Sequence, residues 1–307
     1  MQCLELPKIG ANFNRVPTKF LAEISEIAGD FHNKISGNAL AIQTRLEEAI
    51  AEQFPQLLDL GNKIVSCLDS KEGFVIVKNL PFLHYQRPLV DWLFLALTSC
   101  LGSLTIHNDS KQLIWEVTPR SCTSGREQTF SELNSVAPWH TDSAFRRHPE
   151  EYFGLFALKT AKIGGHSLVM QAEDAIATLR KTDAGAQCLA ILRSEVFPFR
   201  VPPAFRGVES DSTITYAPII RTSPLIRFRL DSILSGFKSC PELMSVDRLW
   251  ALNYFQHFLD TYNGKLEVKL DEGDIIFINN HKLLHGRTAF VGSDRLLLRA
   301  RVEKRKS

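Results

Sequence analysis

From about residue 112 the chain is divided into short apolar runs, and that pattern restricts the fold more than any other feature. The runs are "LIWEVTP", "YFGLFALKTA", "HSLVMQ", "SEVFPFRV", "STITYAPII" and "LIRFRL", then "LEVKL", "DIIFINN", "KLLHGRTAF" and "RLLLRARVE". Each has the length of a strand and is rich in β-branched or aromatic residues, with turn-forming residues between them. One helical interlude, "SVDRLWALNYFQHFLDTYN" near 245–263, interrupts the series. A parallel α/β sheet would require regular alternation of strand and helix, which is missing. The pattern predicts a mainly β fold with flanking helices, built on a double-stranded β-helix (jelly-roll) core.

The preceding part reads differently. Residues 38–68 place apolar side chains at three- and four-residue steps, the period of an amphipathic helix, and Pro55 breaks or kinks that stretch. "GFVIVKNL" (73–80) is a strand that follows a Gly-marked turn, and "PLVDWLFLALTSCLG" is a buried helix with Gly102 at its C-terminus. No repeat, low-complexity tract or Pro/Gly-rich linker divides the 307 residues. The expectation is a single domain over 1–307: a helix-rich N-terminal part over about 1–105, then the core over about 106–303 with a helical insertion near 245–263.

Composition removes several function classes. A formal net charge of +2 argues against a nucleic-acid binder built on a basic face, and the terminal "RARVEKRKS" reads as a solvated tail. No apolar stretch nears the length of a membrane span, and the first residues lack the secretory pattern, so the reading is cytoplasmic with no membrane partner. Six scattered cysteines without a CxxC pair fit reduced thiols better than a disulfide framework or zinc finger. A homo-oligomer is compatible with the sequence and not required by it.

The stretch "PWHTDSAF" (138–145) carries the chemistry. On a strand, His140 and Asp142 point to the same face, where both could reach one ion. With 9 His and 34 acidic residues in 307, about one His-x-acid pair arises by chance. This chain has three. His107-Asn108-Asp109 reads as a polar turn, and His148-Pro149-Glu150 as a solvated loop in which Pro149 opposes strand pairing. His140 instead leads into an apolar strand.

Two histidines and one carboxylate leave adjacent positions open on Fe(II), which oxygen activation requires, so a third ligand should come from a distant strand. "GDIIFINNHKLLHGRTAF" offers His281, read as solvent-facing at a turn, and His285, read as more buried. Ten residues beyond His285, Arg295 and Arg299 stand four apart on a strand and so share a face among leucines. Guanidiniums buried there require anions, and the planar fork of Arg takes a carboxylate bidentately. A dicarboxylate that chelates iron at one end and pairs with Arg at the other explains the arrangement. The plainer alternative puts both arginines on the solvent face of an edge strand.

Together, "WHTDSAF", "LFALKTAKIGGHSLV" and "GDIIFINNHKLLHGR" with "DRLLLR" resemble the taurine dioxygenase and clavaminate synthase-like Fe(II)/2-oxoglutarate oxygenases, most strongly over about 130–172 and 270–302. The resemblance implies Fe(II) as the metal, with 2-oxoglutarate and O2 as co-substrates. It matches His140, Asp142 and His285 to the iron ligands, and Ser167, Arg295 and Arg299 to the 2-oxoglutarate site. The variable His-to-Arg spacing of the family leaves the order of the two arginine roles open. His166 departs from the family, which usually has an acidic residue there, and the span from His285 to Arg295 is short. Asp142 keeps the carboxylate that related halogenases lose, which favours hydroxylation or desaturation over halogenation.

The reaction so implied is oxidation of an unactivated C–H bond in a small, amino-acid-like metabolite, hydroxylation first, with desaturation or oxidative decarboxylation as the alternative. Candidate substrate contacts are Trp115, Glu116, Arg227 and Arg229, the last two on one strand face, and "SGREQTFSE" (124–132) is a candidate lid. From other classes, a zinc hydrolase lacks an HExxH base and leaves the arginines without a role. A non-catalytic jelly-roll binder of small carboxylates would use Arg295 and Arg299 without turnover.

Overall fold

The computed structural model describes residues 3–5, 39–78, 80, 85–107, 112–121, 128–202 and 213–305. Fifteen strands are named in chain order. They are β1 Cys3–Glu5, β2 Phe74–Lys78, β3 Ser103–Thr105, β4 Trp115–Val117, β5 Ala137–His140, β6 Tyr152–Lys159, β7 Ile163–Gly164 and β8 Ser167–Gln171, then β9 Phe197–Arg200, β10 Ile214–Ala217, β11 Lys265–Val268, β12 Ile275–Asn279, β13 Leu283–Arg287, β14 Phe290–Val291 and β15 Leu296–Glu303. The helices are α1 Ala39–Gln53, α2 Pro55–Asp69, α3 Arg87–Ser99, α4 Ala172–Leu179, α5 Asp183–Ser194, α6 Leu230–Ser239 and α7 Val246–Thr261.

Two sheets face each other between two helical layers. The larger runs β1-β2-β12-β6-β15-β3, with β4 also paired to β15, and the smaller runs β11-β8-β13-β5. Side-chain parity makes the layers. Phe74 and Ile76, Phe153 and Ala157, and Ile276 and Ile278 point inward to meet Val169, Val268 and Leu283 of the smaller sheet. Their neighbours Val75, Val77, Phe156 and Phe277 point outward and pack on α1, α2 and α3. Met170 and Leu284 leave the smaller sheet on its other face to meet α4, α5 and α7. Strands such as β12, buried at every position, therefore read as continuous apolar runs, because both faces are covered.

Several expectations are corrected. Among the described residues more lie in helices than in strands, so the fold is mixed α/β and not mainly β. Helices α4, α5 and α6 were not anticipated. The run "LIRFRL" is not a strand: it makes one bridge, Ile220 to Ile226, and enters α6 at Leu230. No ladder joins the two sheets, so among the described strands they do not close into a barrel. Gly102 does not cap α3, whose C-cap is Cys100. It lets the chain pass close to β15, where an added Cβ would lie 2.2 Å from the Glu303 carbonyl oxygen. Pro55 acts as expected: α1 ends before it, and it occupies the first turn of α2, where its missing N–H costs nothing. No helix among the described residues is long and apolar enough to cross a membrane. Of the candidate lid, residues 124–127 lie outside the described residues, as does Asp109.

Candidate metal centre

Strand pairing brings the two histidines together. His140 ends β5 and His285 is central in β13, and the antiparallel register sets them opposite each other. Their ring centroids are 4.3 Å apart. Asp142, just past β5, completes the cluster. Its Oδ1 lies 3.7 Å from His140 Nε2 and 3.8 Å from His285 Nε2, and all three ligand atoms fall within 4.8 Å of one another. All three residues are buried. His140 Nδ1–H donates to the Pro138 carbonyl at 2.7 Å, which leaves the Nε2 lone pair for a metal. Burial, then the neighbouring His140, pulls His285 down to about 4, so its imidazole stays neutral and able to ligate. Two imidazole nitrogens and one carboxylate oxygen, converging without a fourth ligand among the described residues, fit non-haem Fe(II).

The carboxylate is held from behind. Burial alone would raise the Asp142 pKa, but Arg299 and Arg301 outweigh it and hold the group well below the usual carboxylate range. Arg299 lies 3.0 Å and Arg301 3.5 Å from Oδ2. Asn280 clamps the Asp142 backbone, accepting from its N–H at 2.7 Å and donating to its carbonyl at 2.9 Å and to that of Glu150 at 2.9 Å. Ser143 follows with φ 54°, an uncommon conformation for a residue with a side chain, and its hydroxyl accepts from Arg301 at 2.8 Å. Glu150 is not a solvated loop residue. It is buried, taking 2.6 Å and 3.1 Å hydrogen bonds from Arg146 and Thr105. His107, expected in a polar turn, is fully buried. His281 is half-buried against the Pro149 carbonyl at 2.8 Å, rather than solvent-facing.

The triad opens into a cavity whose wall also includes Ser167, Arg287, Arg295 and Arg299. Both candidate arginines face inward, so the edge-strand alternative does not hold. Arg299 is committed to Asp142. Arg295 is buried beside Phe290, with its guanidinium carbon 5.1 Å from the ring centroid, and among the described residues its one hydrogen bond is a long 3.4 Å contact to the Gly165 carbonyl. Burial, then the nearby Arg287, lowers Arg295 to about 9. His166 sits outside, half-exposed and paired with Glu267.

The four proposed substrate contacts separate. Trp115 is buried in the core, and its indole N–H donates at 2.9 Å to Ser131, which does line the cavity. Glu116 points away and pairs with Arg87 at 2.8 Å. Arg227 holds the carbonyls of Arg146 and Arg147 at 3.0 Å and 3.1 Å. Arg229 lies over Phe130, 4.5 Å from its centroid, and pairs with Asp231. The two arginines therefore have different partners: Arg227 holds backbone carbonyls, and Arg229 a ring and a carboxylate. Sequence reasoning missed Asn280, Arg287 and Arg301. Strand parity carried a signal for the two arginines, which lie two residues beyond His285 and Arg299.

Comparison with known proteins agrees with this geometry. Residues 45–301 match the family described as taurine catabolism dioxygenase TauD, TfdA family. Dioxygenase str8 of Strobilurus tenacellus is 25% identical over 189 residues, 58% of this chain, and the match spans 40% of that relative's length. An asparagine oxygenase solved with Fe(II), 3-hydroxyasparagine and succinate superposes with a TM-score of 0.68 at 17% identity, covering 99% of this chain and 94% of that one. The non-haem iron oxygenase OrfP, solved with Fe and α-ketoglutaric acid, gives 0.63 at 17% identity, covering 98% and 94%. The family match spans most of the chain and contains all three ligands: this protein belongs to the TauD/TfdA family of Fe(II)/2-oxoglutarate-dependent dioxygenases, with His140, Asp142 and His285 as its iron site.

Proposed function

We propose that this protein hydroxylates an unactivated C–H bond of a small, amino-acid-like metabolite, with Arg295 and Ser167 taking the distal carboxylate of 2-oxoglutarate and Arg299 beside its iron-proximal end. The observation that carries this reading is Arg295. It is a buried guanidinium on the wall of the triad's cavity, and among the described residues no carboxylate faces it. Such a cation is costly unless an anion arrives, and Ser167 supplies a hydroxyl on the same wall. Arg299 instead stays with Asp142, keeping it ionised and oriented. When bound, iron and 2-oxoglutarate supply with O2 the oxidation of the C–H bond. The protein contributes placement and a partly apolar cavity, in which the Phe153 and Phe130 rings pack tilted and edge-on against His285 and His140, with centroids 4.7 Å and 5.4 Å apart. The substrate class draws on two relatives: an asparagine oxygenase holds 3-hydroxyasparagine and OrfP holds (3S)-hydroxy-L-Arg. We also read the facing sheets as the halves of a double-stranded β-helix, within one domain.

The test is an anaerobic titration of the Fe(II)-loaded protein with 2-oxoglutarate, followed by the metal-to-ligand charge-transfer band of the chelate. Wild type should give the band, His285→Ala should lose it, and Arg295→Leu should need far more 2-oxoglutarate to reach it. No band in folded, iron-loaded wild type would reject the reading. Succinate release is then screened against free amino acids, and each product is analysed for an added hydroxyl.

A further inference from the structure

Arg287 lines the triad's cavity beside Arg295 and also holds the segment just before β5. We propose that it is a positioning residue that couples the two: co-substrate at Arg295 tightens the grip of Arg287 on the segment from Phe130 to Ser135, and so fixes the wall against which the primary substrate rests. The inference rests on Arg295 taking the distal carboxylate of 2-oxoglutarate.

Three observations support it. First, one side chain holds this wall from inside. The Arg287 guanidinium donates to the carbonyls of Phe130, Leu133 and Ser135 at 3.2, 2.7 and 2.7 Å, a set that suits its planar fork of N–H donors. Phe130 and Ser131 line the cavity, so the segment forms part of its wall. From Leu133 to Val136 there is neither helix nor strand, and Asn134, Ser135 and Val136 are exposed. Among the described residues, the other backbone tie of that stretch is the Phe290 N–H, which donates to the Asn134 carbonyl at 3.0 Å. Second, charge links Arg287 to Arg295. Both are buried, and both guanidinium carbons lie close to the Phe290 ring centroid, at 4.8 Å and 5.1 Å. Among the described residues neither has a carboxylate partner, so the two cations repel each other where little water screens them. A dianion at Arg295 cancels that repulsion, and Arg287 then holds its carbonyls against less opposition. Third, the two arginines are equipped for different tasks. Arg295 makes one long contact and is open to a ligand, whereas Arg287 already donates to three carbonyls and transmits rather than binds.

The test is hydrogen exchange of the Fe(II)-loaded protein, kept anaerobic, with and without 2-oxoglutarate, the charge-transfer band showing saturation in each sample. The amides to follow are those of Thr129, Glu132 and Phe290, which donate to Glu132 Oε2, the Thr129 carbonyl and the Asn134 carbonyl. In wild type 2-oxoglutarate should slow their exchange by about fivefold, the low end of coupling between two sites. In Arg287→Met the amides should exchange faster than in wild type, and 2-oxoglutarate should no longer slow them. Wild-type exchange indifferent to 2-oxoglutarate would overturn the coupling. So would an Arg287→Met protein that keeps the full slowing, because a merely structural arginine changes exchange by the same factor in both states. Should Arg287→Met fail to fold, Arg287→Lys replaces it, keeping the cation and losing the fork. It should show less slowing than wild type, and the full effect would again overturn the proposal. Folded, iron-loaded wild type without any band would overturn the co-substrate reading itself, a result distinct from a band without the change in exchange.

Discussion

Asp142 shows how a single side chain depends on its neighbours. Its charge is buried but matched by Arg299 and Arg301. Asp142→Asn keeps the shape and removes the anion, which takes from Arg299 its carboxylate and leaves Arg301 with Glu150 alone as a carboxylate neighbour among the described residues. The expected cost is roughly 3–5 kcal/mol, the range for breaking a buried pair, together with loss of Fe(II) binding; denaturant melts and metal titration check both. Acid should act through the histidines. His285 is held down to about 4, while an unfolded imidazole titrates near its ordinary value, so between those points the unfolded chain binds more protons. Stability of the metal-free protein should therefore fall as pH drops from about 6.5 towards 4, by about 3 kcal/mol from this residue, and flatten below. His107, also pushed well down by burial and then by Arg301, adds in the same direction. Melts across pH should show His107→Phe losing part of this acid sensitivity.

At the scale of elements, the β12–β13 turn and the β6–β12 contact matter most. Asn280 sits in that turn and ties it to Asp142 with two hydrogen bonds and to Glu150 with a third. Asn280→Ala should cost about 3 kcal/mol and weaken Fe(II) binding, whereas Ala at the exposed Val291 should do neither; thermal melts with metal titration separate them. Gly154 in β6 makes room for the Phe277 ring of β12. A Cβ there would lie 2.7 Å from Phe277 Cε1 and 3.2 Å from Phe94. Gly154→Ala should destabilise by about 1–3 kcal/mol, and adding Phe277→Leu should recover part of it, a non-additivity that a double-mutant cycle measures. Element boundaries were legible where one residue decides them, as Pro55 does between α1 and α2. The run 225–230 was not, because its apolar residues serve tertiary contacts: Phe228 packs on Phe255 of α7, and the Arg227 N–H bonds back to Ile219.

Across the whole molecule, the two sheets enclose more cationic than anionic groups near the iron site, with Arg287, Arg295 and Arg299 against Asp142 on the cavity wall. A bound dicarboxylate should relieve that imbalance. Fe(II) with 2-oxoglutarate at about a hundred times its Kd should stabilise the protein by about 2.7 kcal/mol, and Arg295→Leu should forfeit most of that gain in a thermal shift series. Layering follows the same logic. The helices cover outer faces that strand parity alone makes apolar, and so both sheets are buried on two sides.

The sequence by itself determined which residues could bind metal and which strand positions share a face, because ligand chemistry and side-chain alternation are properties of the chain. His140, Asp142, His285, Arg295 and Arg299 were legible on those grounds, Ser167 only through the family resemblance, and all six line one cavity. Only the tertiary structure separated Arg299, neutralised by Asp142, from Arg295, which no described carboxylate faces. It alone buried Glu150 and His107 and turned Glu116 and Arg227 away from the cavity. The reason is physical: whether a charge is paired or exposed depends on residues distant in sequence, and local pattern carries no record of which distant segment comes to lie against it.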